Sequence, residues 1–171
     1  LITGSAAADS IPGTSAADTI NAGDGANLII GGGGADNLIG GTGADTFSAT
    51  SADITGLAET ISGGTGTAVL SLTGGGAFNL STVTLDSIEL ISGSASADSI
   101  SAEGAPESNE GGDRGSLIIC GGREDNLNGG TGADTFRAQS AVQSGVTETT
   151  RRGRGMRSAY VRGGGVGRSR T

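Results

Sequence analysis

The chain has 171 residues, of which 35 are Gly, while Leu, Ile, Val and Phe together contribute 33, just under a fifth; a conventional globular core is not expected from that composition. There is no His, Trp or Lys, which excludes histidine triads, His-containing zinc sites and Schiff-base or P-loop lysine chemistry, so the chain itself is expected not to be an enzyme. The net charge of −8 hides two opposite regions: residues 1–150 carry all 18 acidic side chains against three arginines, and residues 151–171 carry seven arginines and no acid.

The single cysteine, Cys120, excludes an internal disulfide. No hydrophobic run is long enough to span a membrane. The chain opens at Leu1 without a signal-like stretch, so a segment of a longer protein, joined to further domains, is expected.

From the start of the chain, acidic or amide residues recur every nine positions at Asp9, Asp18, Asn27, Asp36 and Asp45. Two residues beyond each stands an apolar one: Ile11, Ile20, Ile29, Leu38 and Phe47. Residues 1–47 thus form a first repeat block. Residues 48–90 lose the strict period but keep strand-prone runs at 68–72, 77–80 and 87–91, and Glu59 and Ala68 again sit nine apart, with Ile61 and Leu70 two residues beyond. This stretch is expected to be a worn, β-rich continuation of the same architecture.

A second block, 91–136, resumes the step with Asp98, Glu107, Ser116, Asp125 and Asp134. Laying 2–47 on 91–136 without gaps gives 27 identities in 46, including GGTGADTF at 40–47 and 129–136, so the block is an internal duplication. Residues 137–171 form a Gly/Arg-rich tail with no periodic apolar residues, and disorder is expected there.

The best-preserved units, 31–39 and 40–48, read GGxGxDxUx with U apolar. Six residues make a loop and three a short strand. Glycines open backbone conformations closed to other residues and bring carbonyl oxygens towards a shared centre, where Asp adds a carboxylate. Hard oxygen donors without soft nitrogen or sulfur suit Ca2+ better than zinc or copper.

Two nonapeptides make an 18-residue turn of a coil whose strands stack about 4.8 Å apart, so residues 18 apart become neighbours. Asp9, Asn27 and Asp45 then line one edge and Asp18 and Asp36 the other. Their mutual repulsion, ~1 kcal/mol per pair in water and several-fold more at lower dielectric, reverses when a divalent cation binds between them. Two thin apolar ladders cannot offset an ordering cost of roughly 1–2 kcal/mol per residue for so Gly-rich a chain. Metal binding is therefore expected to supply the missing folding free energy.

GGGGADNLI, GGTGADTFS and the second GGTGADTF resemble the repeats-in-toxin (RTX), or hemolysin-type calcium-binding, nonapeptides, clearly over 1–47 and 91–136 and weakly over 48–90. The resemblance implies an all-β parallel β-roll, a β-solenoid with two nonapeptides per 18-residue turn and calcium between turns. It also implies a secreted bacterial protein, exported by type I secretion machinery and unstructured until it meets calcium outside the cell. Family members carry such repeats beside enzyme, adhesin or pore-forming modules, so the repeats do not name the parent's activity.

The candidate ligands are Asp9, Asp18, Asn27, Asp36 and Asp45 in the first block and Asp98, Glu107, Asp125 and Asp134 in the second. Loop positions Gly31, Gly33, Gly40, Thr42, Gly129 and Thr131 complete the candidate metal set. A competing explanation is that Asp and Asn merely favour Gly-rich turns through local side-chain hydrogen bonds. Loops 4–9 and 13–18 hold one Gly each and are expected to bind poorly. Cys120, Arg123, Asn109, Pro106 and Ser116 all break the pattern in the second block, which is expected to bind fewer ions.

Phe47 and Phe136 are expected in the core. The Arg-rich tail could contact phosphates, but only Tyr160 is available for stacking and the acidic body repels a polyanion, so no nucleic-acid partner is expected. A shifted reading frame or an assembly error would account for that tail. Two alternatives to a calcium-triggered module remain: a structural solenoid spacer of a large adhesin with vestigial sites, and the C-terminal portion of a secreted exoenzyme.

Overall fold

The structure, a computed structural model, describes residues 1–54, 58–103, 108–110, 115–121, 126–128, 135–139, 149–151 and 158–162. In the first block each apolar U residue falls in a short strand. These strands are β1 (Ile2–Thr3), β2 (Ser10–Thr14), β3 (Thr19–Asp24), β4 (Leu28–Gly32), β5 (Asn37–Gly43) and β6 (Thr46–Thr50). Odd-numbered strands pair in one sheet and even-numbered strands in another, all in parallel. The chain therefore crosses from sheet to sheet every nine residues and returns after 18, as the registers Ile2 to Ile20 to Leu38 and Ile11 to Ile29 to Phe47 show.

Alternation within each strand is what makes this coil possible. In β3, Ile20 and Ala22 point inward and are fully buried while Thr19 and Asn21 face out. With one large buried side chain per strand in the first block, the interior there is two facing ladders that continue into the spacer. One runs through Ile20, Leu38 and Ile61; the other through Ile11, Ile29, Phe47, Leu70 and Ile91. Phe47 is buried, as expected.

The spacer keeps the coil but lengthens the turn. A single helical turn, α1 (Ser51–Ile54), precedes β7 (Thr60–Gly66), β8 (Val69–Thr73) and β9 (Gly76–Asn79). A 3-10 turn at Leu80–Thr82 then leads to β10 (Thr84–Asp86) and β11 (Leu90–Ser92). Leu38 now pairs with Ile61, and Ile61 with Leu85, so the turn grows beyond 18 residues. The run 87–91 is strand only from Leu90, because Ser87 takes a left-handed conformation (φ 54°) that interrupts extension.

Gly74, Gly75 and Gly76, at φ 82°, 73° and 132°, turn the chain so that β9 opens a third sheet instead of extending the first. Ile54 of α1, Phe78 and Leu80 are buried at this junction, where α1 packs on β6 and β9.

Beyond the junction the 18-residue step returns as far as Phe136, and the last pairings, Leu127 with Thr150 and Phe136 with Ala159, lengthen it to 23. The third sheet takes β12 (Asp98–Glu103), β14 (Leu117–Gly121), β16 (Thr135–Gln139) and β18 (Ser158–Arg162). The second sheet continues through β13 (Ser108–Glu110), β15 (Asn126–Asn128) and β17 (Thr149–Arg151), reaching eight strands. Ile100 pairs with Ile118 and Ile118 with Phe136, repeating the apolar column of the first block. Within the tail β17 and β18 pair on β15 and β16; the rest of 140–171 lies outside the described residues. No helix among the described residues is long and apolar enough to cross a membrane.

Candidate metal centre

The loops stack along two edges of the coil. Loops 4–9, 22–27, 40–45 and 63–68 lead from the first sheet to the second, and loops 13–18 and 31–36 lead back. Gly23, Gly41 and Gly64 are in register on one edge, all at positive φ (92°, 109° and 83°). A Cβ on Gly41 would strike the carbonyl oxygen of Gly23 one turn away, so only glycine permits the approach. On the other edge Gly32 (φ 86°) lies against the carbonyl oxygen of Thr14.

The sixth position of each loop forms a column. Asp36 Oδ1 accepts the backbone N–H of Asp18 at 2.8 Å, and Asp45 Oδ1 accepts that of Asn27 at 2.9 Å. Asn27 Oδ1 does the same for Asp9, also at 2.9 Å. One oxygen of each side chain is thus spent in tying its turn to the turn before it. The second oxygen distinguishes the loops.

In the two glycine-rich loops that oxygen is abandoned. Asp36 and Asp45 are 2% and 1% exposed, and the Oδ2 atom of each is buried with no hydrogen-bond partner. Each Oδ2 lies over the first glycine of its own loop, where a Cβ on Gly31 or Gly40 would come within 2.5 Å of it. A buried acceptor left unsatisfied costs about 1–3 kcal/mol and a charged one more. Burial is also the main reason the Asp36 carboxyl is raised above its usual range; the N–H of Asp18 opposes it, and the charges of Asp18 and Asp53 add to it.

A hard cation removes both penalties, and the oxygens that these loops offer are of the kind Ca2+ takes. Among the described residues no three His, Cys, Asp or Glu side chains converge. The donor set is therefore a carboxylate with backbone carbonyls, as GGxGxD supplies. The residues fit calcium, and Asp36 and Asp45 are the ones that would hold it.

The other candidates are placed differently. Asp9 Oδ2 accepts from Ser5 N at 2.6 Å and Ser5 Oγ at 3.0 Å. Asp18 Oδ2 accepts from Thr14 N at 2.7 Å and Thr14 Oγ1 at 2.8 Å, and these bonds hold its carboxyl below the usual range. Asp98 Oδ2 accepts from Ser94 N at 2.7 Å and Ser94 Oγ at 3.1 Å. Asn27 turns its Nδ2 to the carbonyls of Gly25 and Asp24, at 3.3 and 3.5 Å.

Gly33 N donates to Thr14 O at 3.0 Å, and Thr42 Oγ1 to Asp24 Oδ1 at 2.6 Å, each joining successive loops. Glu107, Asp125, Gly129, Thr131 and Asp134 lie outside the described residues.

Two acidic residues that do not figure among the sequence candidates join the columns. Glu59 follows Asp36 in register, is 3% exposed, and has its carboxyl pushed up to about 8, first by burial and then by the charges of Asp36 and Asp53. Glu89 Oε2 accepts the N–H of Ala68 at 2.6 Å, taking the place in the column that a nonapeptide Asp would hold. Both stand two residues before a buried apolar residue, Ile61 and Ile91, the same signal that marks the aspartates.

Stacked parallel strands, left-handed glycines at the corners and orphaned carboxylate oxygens at the sixth loop position define a β-solenoid of cation-binding loops. Four copies of the RTX calcium-binding nonapeptide repeat match the chain, over residues 12–47 and 121–140. No curated protein and no solved structure matches it.

Proposed function

We propose that this chain is the calcium-responsive segment of a secreted bacterial protein, disordered where calcium is scarce and coiled where it is abundant. The observation that carries the reading is the pair of buried, unpartnered Oδ2 atoms on Asp36 and Asp45. Without a cation those oxygens oppose the fold. Calcium, when bound, supplies the positive charge that offsets the burial of both carboxylates within the coil.

The chain's own residues do the rest. The first glycines of the loops, Gly31 and Gly40, leave room for the carboxylate, and the Oδ1 bonds to Asp18 and Asn27 aim it. Secretion by a type I apparatus and attachment to further domains are part of the proposal, which rests here on the repeat family. So is the absence of a catalytic step within this chain, which rests on its lack of His and Lys.

Circular dichroism of the full chain in millimolar calcium and in chelator tests it. A coil-to-β change that saturates with calcium supports the reading; a β spectrum indifferent to chelator replaces it with the solenoid spacer. That second reading has its own support in loop 63–68, which keeps its stacked glycines although Ala68 stands where the carboxylate would be.

A further inference from the structure

The second polar atom of a sixth-position Asp or Asn meets one of three fates. In loops ending at Asp9, Asp18 and Asp98, the residue four positions earlier is Ser5, Thr14 or Ser94, whose N–H and hydroxyl both reach Oδ2. In loops ending at Asp36 and Asp45 that residue is Gly32 or Gly41, at positive φ and without a hydroxyl, and Oδ2 has no partner. Loop 22–27 solves the same problem by replacing the oxygen: the Asn27 Nδ2 points its hydrogens at the carbonyls of Gly25 and Asp24.

We infer that Ser5, Thr14, Ser94 and the amide of Asn27 are built-in substitutes for the cation, so that calcium is taken by the Asp36 and Asp45 loops while the Asp9, Asp18, Asn27 and Asp98 loops close without it. The inference rests on the calcium reading above and assigns the ions within it. Physically, a cation and a pair of N–H and O–H donors do the same work at Oδ2, and a loop that has the donors gains little from the cation while it would have to break two hydrogen bonds to admit one. A donor pair also needs ordinary backbone at the fourth residue before Asp, whereas Gly32 and Gly41 sit in a conformation that Ser and Thr rarely adopt. The choice between glycine and hydroxyl at one position thus decides whether a turn is ion-dependent.

The test counts ions by equilibrium dialysis of the full chain against radioactive calcium. Asp36→Asn and Asp45→Asn are expected to remove one ion each. Thr14→Ala removes the hydroxyl and is expected to leave the count unchanged. The double change Thr14→Gly with Ala16→Gly rewrites loop 13–18 as Gly-Gly-Ser-Gly-Ala-Asp, and is expected to add one ion, which the further change Asp18→Asn removes again.

If the wild-type chain binds ions and Asp9→Asn or Asp18→Asn in the unaltered loops removes one, the assignment is wrong while the calcium reading stands. If the double glycine variant gains no ion although circular dichroism shows it folded as the wild type, the backbone and donor pair four residues before Asp are not the determinant and the assignment again fails. A wild-type chain that binds no calcium overturns both.

Discussion

Asp36 and Asp18 stand one turn apart, and the later residue accepts the earlier one's backbone N–H at Oδ1 over 2.8 Å. The carboxylate is therefore a structural strut before it is a ligand. Only its other oxygen is left to a cation, so charge and architecture can be separated by substitution.

Asp36→Asn keeps the strut and removes the charge, whereas Asp36→Ala removes both. The calcium midpoint of the β transition should rise on the order of tenfold for Asn, about 1.4 kcal/mol, and further for Ala. Equal midpoints for the two variants would show that the Oδ1 bond contributes nothing. The same comparison at Asp45, bonded to Asn27, should give the same order.

Glycines at the second and third positions of neighbouring loops should respond oppositely. Gly41 has φ 109° and no room beside the Gly23 carbonyl, so Gly41→Ala should cost several kcal/mol and prevent the calcium-bound coil from forming. Gly33 has its nearest neighbours at 3.8 Å from an added Cβ and does not need positive φ. Gly33→Ala should be neutral or stabilise by about 0.4–1 kcal/mol, since it restricts the unfolded chain. Chemical denaturation in calcium distinguishes the two.

Phe47 is the bulkiest buried side chain of the first block, 1% exposed between Ile29 and Leu70 in its ladder. Phe47→Ala should cost about 3–5 kcal/mol. In so thin a core no second layer refills the space. Denaturation of the calcium-loaded chain should show the loss, and a change below about 1 kcal/mol would mean that the ladder is not what holds the two sheets together.

The ion-free protein should be more stable in mild acid than in mild base. Glu59 has its carboxyl raised from the ordinary 4.5 to about 8. Between those values the folded state binds a proton that the unfolded chain has released. The stabilisation is complete below about 4.5 and is lost as pH rises through about 8. Asp36 shifts in the same direction. Asp18, lowered by Thr14, works the other way, but only below its ordinary 3.8. In chelator the residual β signal should therefore fall from pH 5 to pH 8, and calcium should flatten that slope by stabilising the ionised carboxylates. A residual β signal that rises with pH over this range contradicts the burial of Glu59.

The nine-residue step, the inward apolar residues two beyond each Asp and the 18-residue return are all readable in the order of residues. Backbone geometry forces them: a strand alternates its faces and a Gly-rich loop can reverse it, so a double period of nine has one compact solution. Ile20, Leu38, Phe47 and their partners could be placed in two ladders on that ground alone.

What the linear order left open was the fate of each carboxylate oxygen. Asp9, Asp18, Asp36 and Asp45 share a spacing, yet two of them close on a hydroxyl four residues back and two are buried with an oxygen unpaired. The turn at Gly74–Gly76 that starts a third sheet, and the placing of Glu59 and Glu89 in the aspartate columns, were likewise settled by packing. Spacing fixes which residues meet, because it counts peptide units; hydrogen-bond satisfaction depends on distances of a few ångströms and on which donors remain after the backbone has taken its share, and only the folded coil sets those.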